Sequence, residues 1–296
     1  MGSSSISQFK KCIVGLLSLV ASTLFAAEIS LGDEDNWIFS GMVSNEKGDQ
    51  YAYFFQMQHQ GVSLKSAVTL FDMQSKEPVF QEEAVGLYQM KSPYHWEIGH
   101  TFLHFNPITG SWVFGLKTKE KQGFNFKIDM MNAYDPPVLE ERLRPGLRVT
   151  LNHVKALNGH IYLSKRHDEF VTARHAWLRQ MTVLPQTIDN AAHLVSGVLC
   201  HFNDDSGFYA MKLPERDALQ GAIAGRFDSE GQMHTMSQFV DIQQTADGVW
   251  DIRALLPQYH VTLSHAVDQN SITSGFVTHA QSPGFCVLSR DVFKVS

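Results

Sequence analysis

The stretch Val198-Leu199-Cys200-His201-Phe202-Asn203-Asp204-Asp205-Ser206-Gly207-Phe208-Tyr209-Ala210-Met211-Lys212-Leu213 decides the fold. Val198, Cys200 and Phe202 stand two apart, a polar run from Asn203 to Gly207 interrupts, and Tyr209, Met211 and Leu213 resume the period of two. Successive side chains of a strand point to opposite faces, and Asn, Asp, Ser and Gly bond their own backbone or accept tight turns. The pattern is therefore an antiparallel hairpin.

Working outward, the same period recurs. Tyr51, Tyr53, Phe55 and Met57 share one face, Trp112, Phe114 and Leu116 another, and Phe124, Phe126 and Ile128 a third. Asp228-Ser229-Glu230-Gly231 and Ala246-Asp247-Gly248 have the composition of hairpin turns, and Trp250, Ile252 and Ala254 alternate after the second. Many short strands separated by turns define an all-β chain of sandwiches or barrels. Helical patterning is sparse: Pro137 to Arg144 reads as two helical turns stopped by Pro145-Gly146, and Pro214 to Ala224 as a weaker helix interrupted by Gly221.

The N-terminus has the order of a secretory signal peptide. Lys10 and Lys11 precede an uncharged run from Cys12 to Ala27, small residues close that run, and Glu28 is the first acid. The run of 16 residues is shorter than the roughly 20 a spanning helix needs. A lipoprotein anchor would need a Cys at the end of the run, whereas Cys12 opens it, and Ile6 stands where myristoylation after Gly2 wants Ser or Thr. Residues 1–27 are read as a cleaved signal, the mature chain as periplasmic or secreted, with no integral membrane span after cleavage.

Loss of two lysines takes the formal charge from −6 to −8, which disfavours nucleic acid and anionic membranes as partners. The remaining length suits two domains, and a hydrophobic content of 44% supplies real cores. Only Cys200 and Cys286 survive cleavage. They form one disulfide or remain two buried thiols.

Three motifs resemble one family in order and spacing. Asp35-Asn36-Trp37-Ile38-Phe39-Ser40-Gly41 is followed by the aromatic run Tyr51-Ala52-Tyr53-Phe54-Phe55, then come Ala176-Trp177-Leu178 and the hairpin Leu199 to Leu213. The chain resembles the family of the attachment protein AttH and the carotenoid 1,2-hydratases (hydroxyneurosporene synthases). The resemblance implies two tandem lipocalin-like antiparallel β-barrels packed together, with an N-terminal barrel over 33–168 and a C-terminal barrel over 169–296. After Trp177 the family shows Asp-His-Glu-Trp, and this chain instead reads Leu178-Arg179-Gln180-Met181-Thr182.

Hydration of an isoprenoid-like C=C bond needs an acid to protonate carbon, aromatic faces for the cation and a base for water. The resemblance maps the family's suspected set onto His175 and Trp177, then Phe202 and Asp204. Asp204 would be the donor, Trp177 the cation-facing ring and His175 the base. Asp204 equally suits a polar turn, where Asp bonds its own backbone. His175 and Trp177 equally suit a barrel wall and rim. Trp37, Tyr53, Phe55 and Phe202 are the aromatic candidates for lining a hydrophobic ligand, Trp37 doubling as a barrel plug.

No cofactor and no metal is expected. His95, His100 and His104 are the densest histidines, but His100 and His104 would stand roughly 13 Å apart along one strand. HExxH and GxSxG are absent. The sequence thus points first to a binding protein for a hydrophobic lipid or isoprenoid-like molecule. A hydratase-type hydro-lyase is the second reading, and an attachment protein associated with the envelope the third.

Overall fold

The alternating segments become strands in a computed structural model, which describes residues 34–294 apart from 88–91, 93, 130–138, 145–146, 155, 165–166, 184–191, 213–221, 238, 256–257, 270 and 280–281. The expected signal peptide lies outside the described residues. Among them there is no helix, and two antiparallel sheets account for the fold.

The first sheet has thirteen strands: β1 Glu34–Asn45, β2 Gln50–Gln60, β3 Ser63–Asp72, β4 Pro78–Leu87, β5 His95–Ile98, β6 Thr101–Asn106, β7 Ser111–Lys117, β8 Gly123–Asp129, β9 Leu139–Arg144, β10 Leu147–Val154, β11 Leu157–Ser164, β12 His167–Ala173 and β13 Ala176–Val183. Its main path runs β4-β3-β2-β1-β12-β11-β8-β7-β6-β5, and β13 and β10 branch from β1. Strand β1 makes the branch by pairing β13 along Glu34–Gly41 and β12 at Ser44 and Asn45. Side chains join the two ends of the path. Glu82 of β4 accepts from the backbone N–H of His100 at 2.8 Å, and Thr101 Oγ1 donates to Ser66 Oγ of β3 at 2.7 Å.

The second sheet has nine strands: β14 Ala192–Phe202, β15 Gly207–Lys212, β16 Ala222–Phe227, β17 Met233–Ser237, β18 Val240–Ala246, β19 Val249–Leu255, β20 Gln258–Gln269, β21 Ile272–His279 and β22 Ser282–Lys294. Their order is β17-β16-β15-β14-β22-β21-β20-β19-β18, and the ends curl together, with β18 against β15 and β16. The hairpins expected at 203–207, 228–231 and 246–248 all form. Cys200 and Cys286 are cross-strand partners on β14 and β22 and form a disulfide.

Two readings change. Residues 139–144, expected as part of a helix, form β9, which among the described residues pairs only with β10. Its charges Glu140, Glu141, Arg142 and Arg144 suit an edge strand, where charge discourages pairing with another chain. The rest of Pro214 to Ala224 lies outside the described residues, but Ala222–Ala224 open β16. The strand carrying Trp177 pairs with β1 and β10 in the first sheet, and Ala192 opens the first strand of the second.

The first barrel is filled by rings. Trp37 lies 4.8 Å from Trp96 and 6.2 Å from Trp112, Phe39 stacks on Phe114 at 4.3 Å, and Tyr53 meets Phe126 at 5.1 Å. Each such pair adds roughly 0.5–1.5 kcal/mol beyond the area it buries. The opposite face of β1–β3 is buried as well, so Tyr51 to Gln58 are buried without a break. Ile38, Phe54, Ala67 and Phe71 from that face pack on Ile272, Phe276, Phe285 and Val287 of the second sheet. Double-sided burial is what turns the alternation of β2 into a near-continuous apolar run.

Candidate functional site

The two sheets meet along a second apolar patch formed by the outer faces of β10 and β13 against β14, β15 and β16. Leu151, Trp177 and Met181 from the first sheet pack with Leu199, Tyr209, Met211 and Phe227 from the second. Between the two patches sits a polar tie. Arg179 Nη2 donates to Asp291 Oδ2 at 2.9 Å, and Gln56 donates to the other oxygen of Asp291 at 3.2 Å. Burial pulls the Arg179 guanidinium below its ordinary pKa, and the Asp291 carboxylate opposes that shift.

At one end of the seam four polar side chains gather around two aromatic rings. His153 is the cross-strand partner of Trp177, and its ring lies 4.6 Å from the indole. His175, immediately before β13, shares a 2.7 Å hydrogen bond between its Nδ1 and His153 Nε2, so one of the two nitrogens carries the proton and the other accepts. The Trp177 ring lies 4.0 Å from Phe227 of β16. His201, on the outer face of β14, lies 2.9 Å from Ser40 Oγ across the seam. Burial pushes the His201 imidazole down to about 3, with the charge of His175 as the smaller cause, so it is neutral at physiological pH. Ser40 is fully buried, so the Ser40–His201 pair ties the barrels together rather than presenting a nucleophile.

The turn Asp228–Gly231 covers this end. Gly231 has φ +80°, and a Cβ there would meet the His153 ring at 2.2 Å, so glycine serves both the left-handed backbone and the close approach. Asp228 accepts from the backbone of Glu230 and Gln232 and shapes the turn.

Against this geometry the sequence candidates divide. His175 and Trp177 are brought together through His153. Asp204 is exposed at the β14–β15 turn, where it accepts from the N–H and the hydroxyl of Ser206 at 3.1 and 2.6 Å. That is the local turn role open to it from the sequence. Phe202 is buried in the second core and also reaches an open groove of about 870 Å³, whose lining includes Asp204, Arg226, Phe227, Asp228, Ser229 and Tyr259. Phe227 therefore presents one side to Trp177 and another to the groove. Trp37, Tyr53 and Phe55 are fully buried inside the first barrel, ring against ring. Burial raises the Tyr53 phenol, whose hydroxyl finds no partner among the described residues.

Sequence reasoning missed Ser40, His153, His201, Phe227 and Tyr259. His201 had a signal: on β14 it alternates with Cys200 and Phe202, so a hairpin buried on one face alone would leave it in water. A different cleft of about 390 Å³ lies at the turns near Asp49, Asp72, Lys76 and Asn203 and is predominantly polar.

The two sheets have the fold of tandem lipocalin-like β-barrels. In fold it is AttH-like. It is similar to a crystal structure assigned to AttH from Nitrosomonas europaea, with TM-score 0.58 and 13% identity, covering 88% of this chain and 92% of that one. It is also similar to kievitone hydratase from Nectria haematococca, with TM-score 0.50 and 9% identity over 86% of this chain and 89% of that one. At such identities the likeness is one of fold. No protein-family model matches the sequence, and no curated protein matches it.

Proposed function

We propose that the chain is an exported binding protein that holds a hydrophobic, lipid or isoprenoid-like molecule in the groove lined by Phe202, Phe227 and Tyr259. One observation carries this reading: a groove of about 870 Å³ that the aromatic side chains of Phe202, Phe227 and Tyr259 line together with six polar residues and Gly207. Such a lining offers aromatic surface for affinity and polar groups that orient a bound molecule. The first barrel is the poorer candidate because its own rings would have to be displaced. Export accords with the signal-like N-terminus and with the Cys200–Cys286 disulfide, which an oxidising compartment favours. A periplasmic or secreted location follows, and the acidic mature chain suits an uncharged ligand better than a polyanion.

The test is titration of delipidated protein with a long-chain fatty acid and a short polyisoprenoid while tryptophan emission is followed. Saturable one-to-one quenching supports the reading, and Trp177→Phe should remove most of the signal without removing binding of a displaceable probe. No saturable binding of either class contradicts it.

A second reading, hydration of a C=C bond, is favoured by the His153–His175 pair beside the Trp177 ring. The hydrogen-bonded imidazoles would relay a proton, and the indole would face the developing cation. Incubation with candidate alkenes in heavy-oxygen water should then yield labelled alcohol that His175→Ala abolishes, whereas Asp204→Asn, altering only an exposed turn, should leave the yield intact.

A further inference from the structure

The hairpin β5–β6 places a set of ligand atoms that the chain order conceals. Gly99, at φ +61°, and His100 form its turn, so the histidines flanking that turn fold back on one another. His95 and His104 are directly opposed, with ring centroids 3.6 Å apart. Glu97 stands two residues from His95 and so projects from the same face. One ligand atom from each of the three residues lies within 4.8 Å of the others. Glu97 Oε1 is 2.8 Å from His95 Nε2 and 3.9 Å from His104 Nε2.

Both Nε2 atoms are buried and face the Glu97 carboxylate, which pairs with His95 Nε2 and stands farther from His104 Nε2. Two imidazole nitrogens and a carboxylate oxygen, with bonds of about 2.0–2.2 Å to a common centre, would stand roughly 3–3.5 Å apart, which the observed spacings bracket. Three protein ligands leave coordination positions open. Glu97 and His104 also line a groove of about 630 Å³ with Phe102, Lys117, Lys121 and Tyr162, which shares no residue with the inter-sheet site.

We propose that His95, Glu97 and His104 bind a divalent transition-metal ion of the zinc, nickel or copper class, with its open positions facing that groove. Imidazole with one carboxylate suits these ions and not magnesium or calcium, which prefer all-oxygen sets. A molecule in the groove would complete the coordination through an oxygen or nitrogen atom, or water would do so.

The test uses tag-free protein stripped with a chelator and titrated with zinc chloride by calorimetry, with cobalt(II) absorption as a second readout. One ion per chain is expected. His95→Ala and His104→Gln should each weaken binding by more than ~100-fold, beyond the 10–100-fold that loss of an outer-shell partner costs. His100→Ala, whose ring instead bonds Glu82, should bind as the parent does. Near-ultraviolet dichroism checks each fold, and if a variant misfolds, the parent's stoichiometry and its ligand-field cobalt bands decide. The proposal is overturned by absence of one-to-one binding in the parent, or by a one-to-one site that survives His104→Gln.

Discussion

Arg179 of the first sheet and Asp291 of the second form an ion pair buried between the two barrels, 2.9 Å apart, with Gln56 completing the carboxylate. Arg179 lies two residues after Trp177 on β13, so the strand that packs its indole on the second sheet also carries the cation that anchors the barrels to each other. Removing one partner strands a buried charge, so Arg179→Leu should cost about 3–5 kcal/mol, while the double change Arg179→Leu with Asp291→Leu should recover most of it. Urea unfolding of both variants measures this; equal stability of single and double variants would show the pair to be inert.

The Cys200–Cys286 bond ties β14 to β22 across 86 residues of sequence. Constraint on the unfolded chain makes such a link worth about 2–5 kcal/mol. Cys200→Ala with Cys286→Ala should lower stability by that amount, and reductant should lower the parent's midpoint while leaving the variant's unchanged.

Acid should weaken the fold through His201. The unfolded chain takes up a proton near 6.5, whereas burial keeps the native imidazole neutral down to about 3. Below 6.5 the unfolded state thus binds more protons, and stability is lost as pH falls, at roughly 1.4 kcal/mol per unit. His59 and His104 are shifted in the same direction by burial and are common to parent and variant. The parent's stability relative to His201→Gln should therefore shrink at about that slope between roughly pH 6 and pH 4. Parallel curves in denaturant unfolding at several pH values would contradict the assignment.

Local chemistry made much of the fold legible. The turns at Asn203–Gly207 and Asp228–Gly231 are written in Asn, Asp, Ser and Gly, whose preferences act within a few residues. Period-two patterning gave β7, β8 and β19 for the same reason. Strand β9 was hidden because Glu140, Glu141, Arg142 and Arg144 lie on an edge, where charge replaces the apolar alternation of a half-buried strand. The site was less legible, because its partners are remote: Ser40 and His201 are 161 residues apart, and only the packing of two sheets joins them. The pairing of His95 with His104 stayed hidden at short range, because a single two-residue turn at Gly99-His100 converts a line of histidines into a facing pair.

If the groove beside Phe227 holds the hydrophobic ligand proposed above, blocking that groove while sparing the core should weaken binding. Ser229 lines the groove from an exposed turn, so Ser229→Trp fills space there and leaves the buried cores alone. Calorimetric titration of parent and variant with the same fatty acid and polyisoprenoid is the measurement. One saturable site is expected in the parent and at least a tenfold weaker one in Ser229→Trp, a loss of about 1.4 kcal/mol. Equal affinity in the two proteins, or no saturable site in the parent, would contradict it.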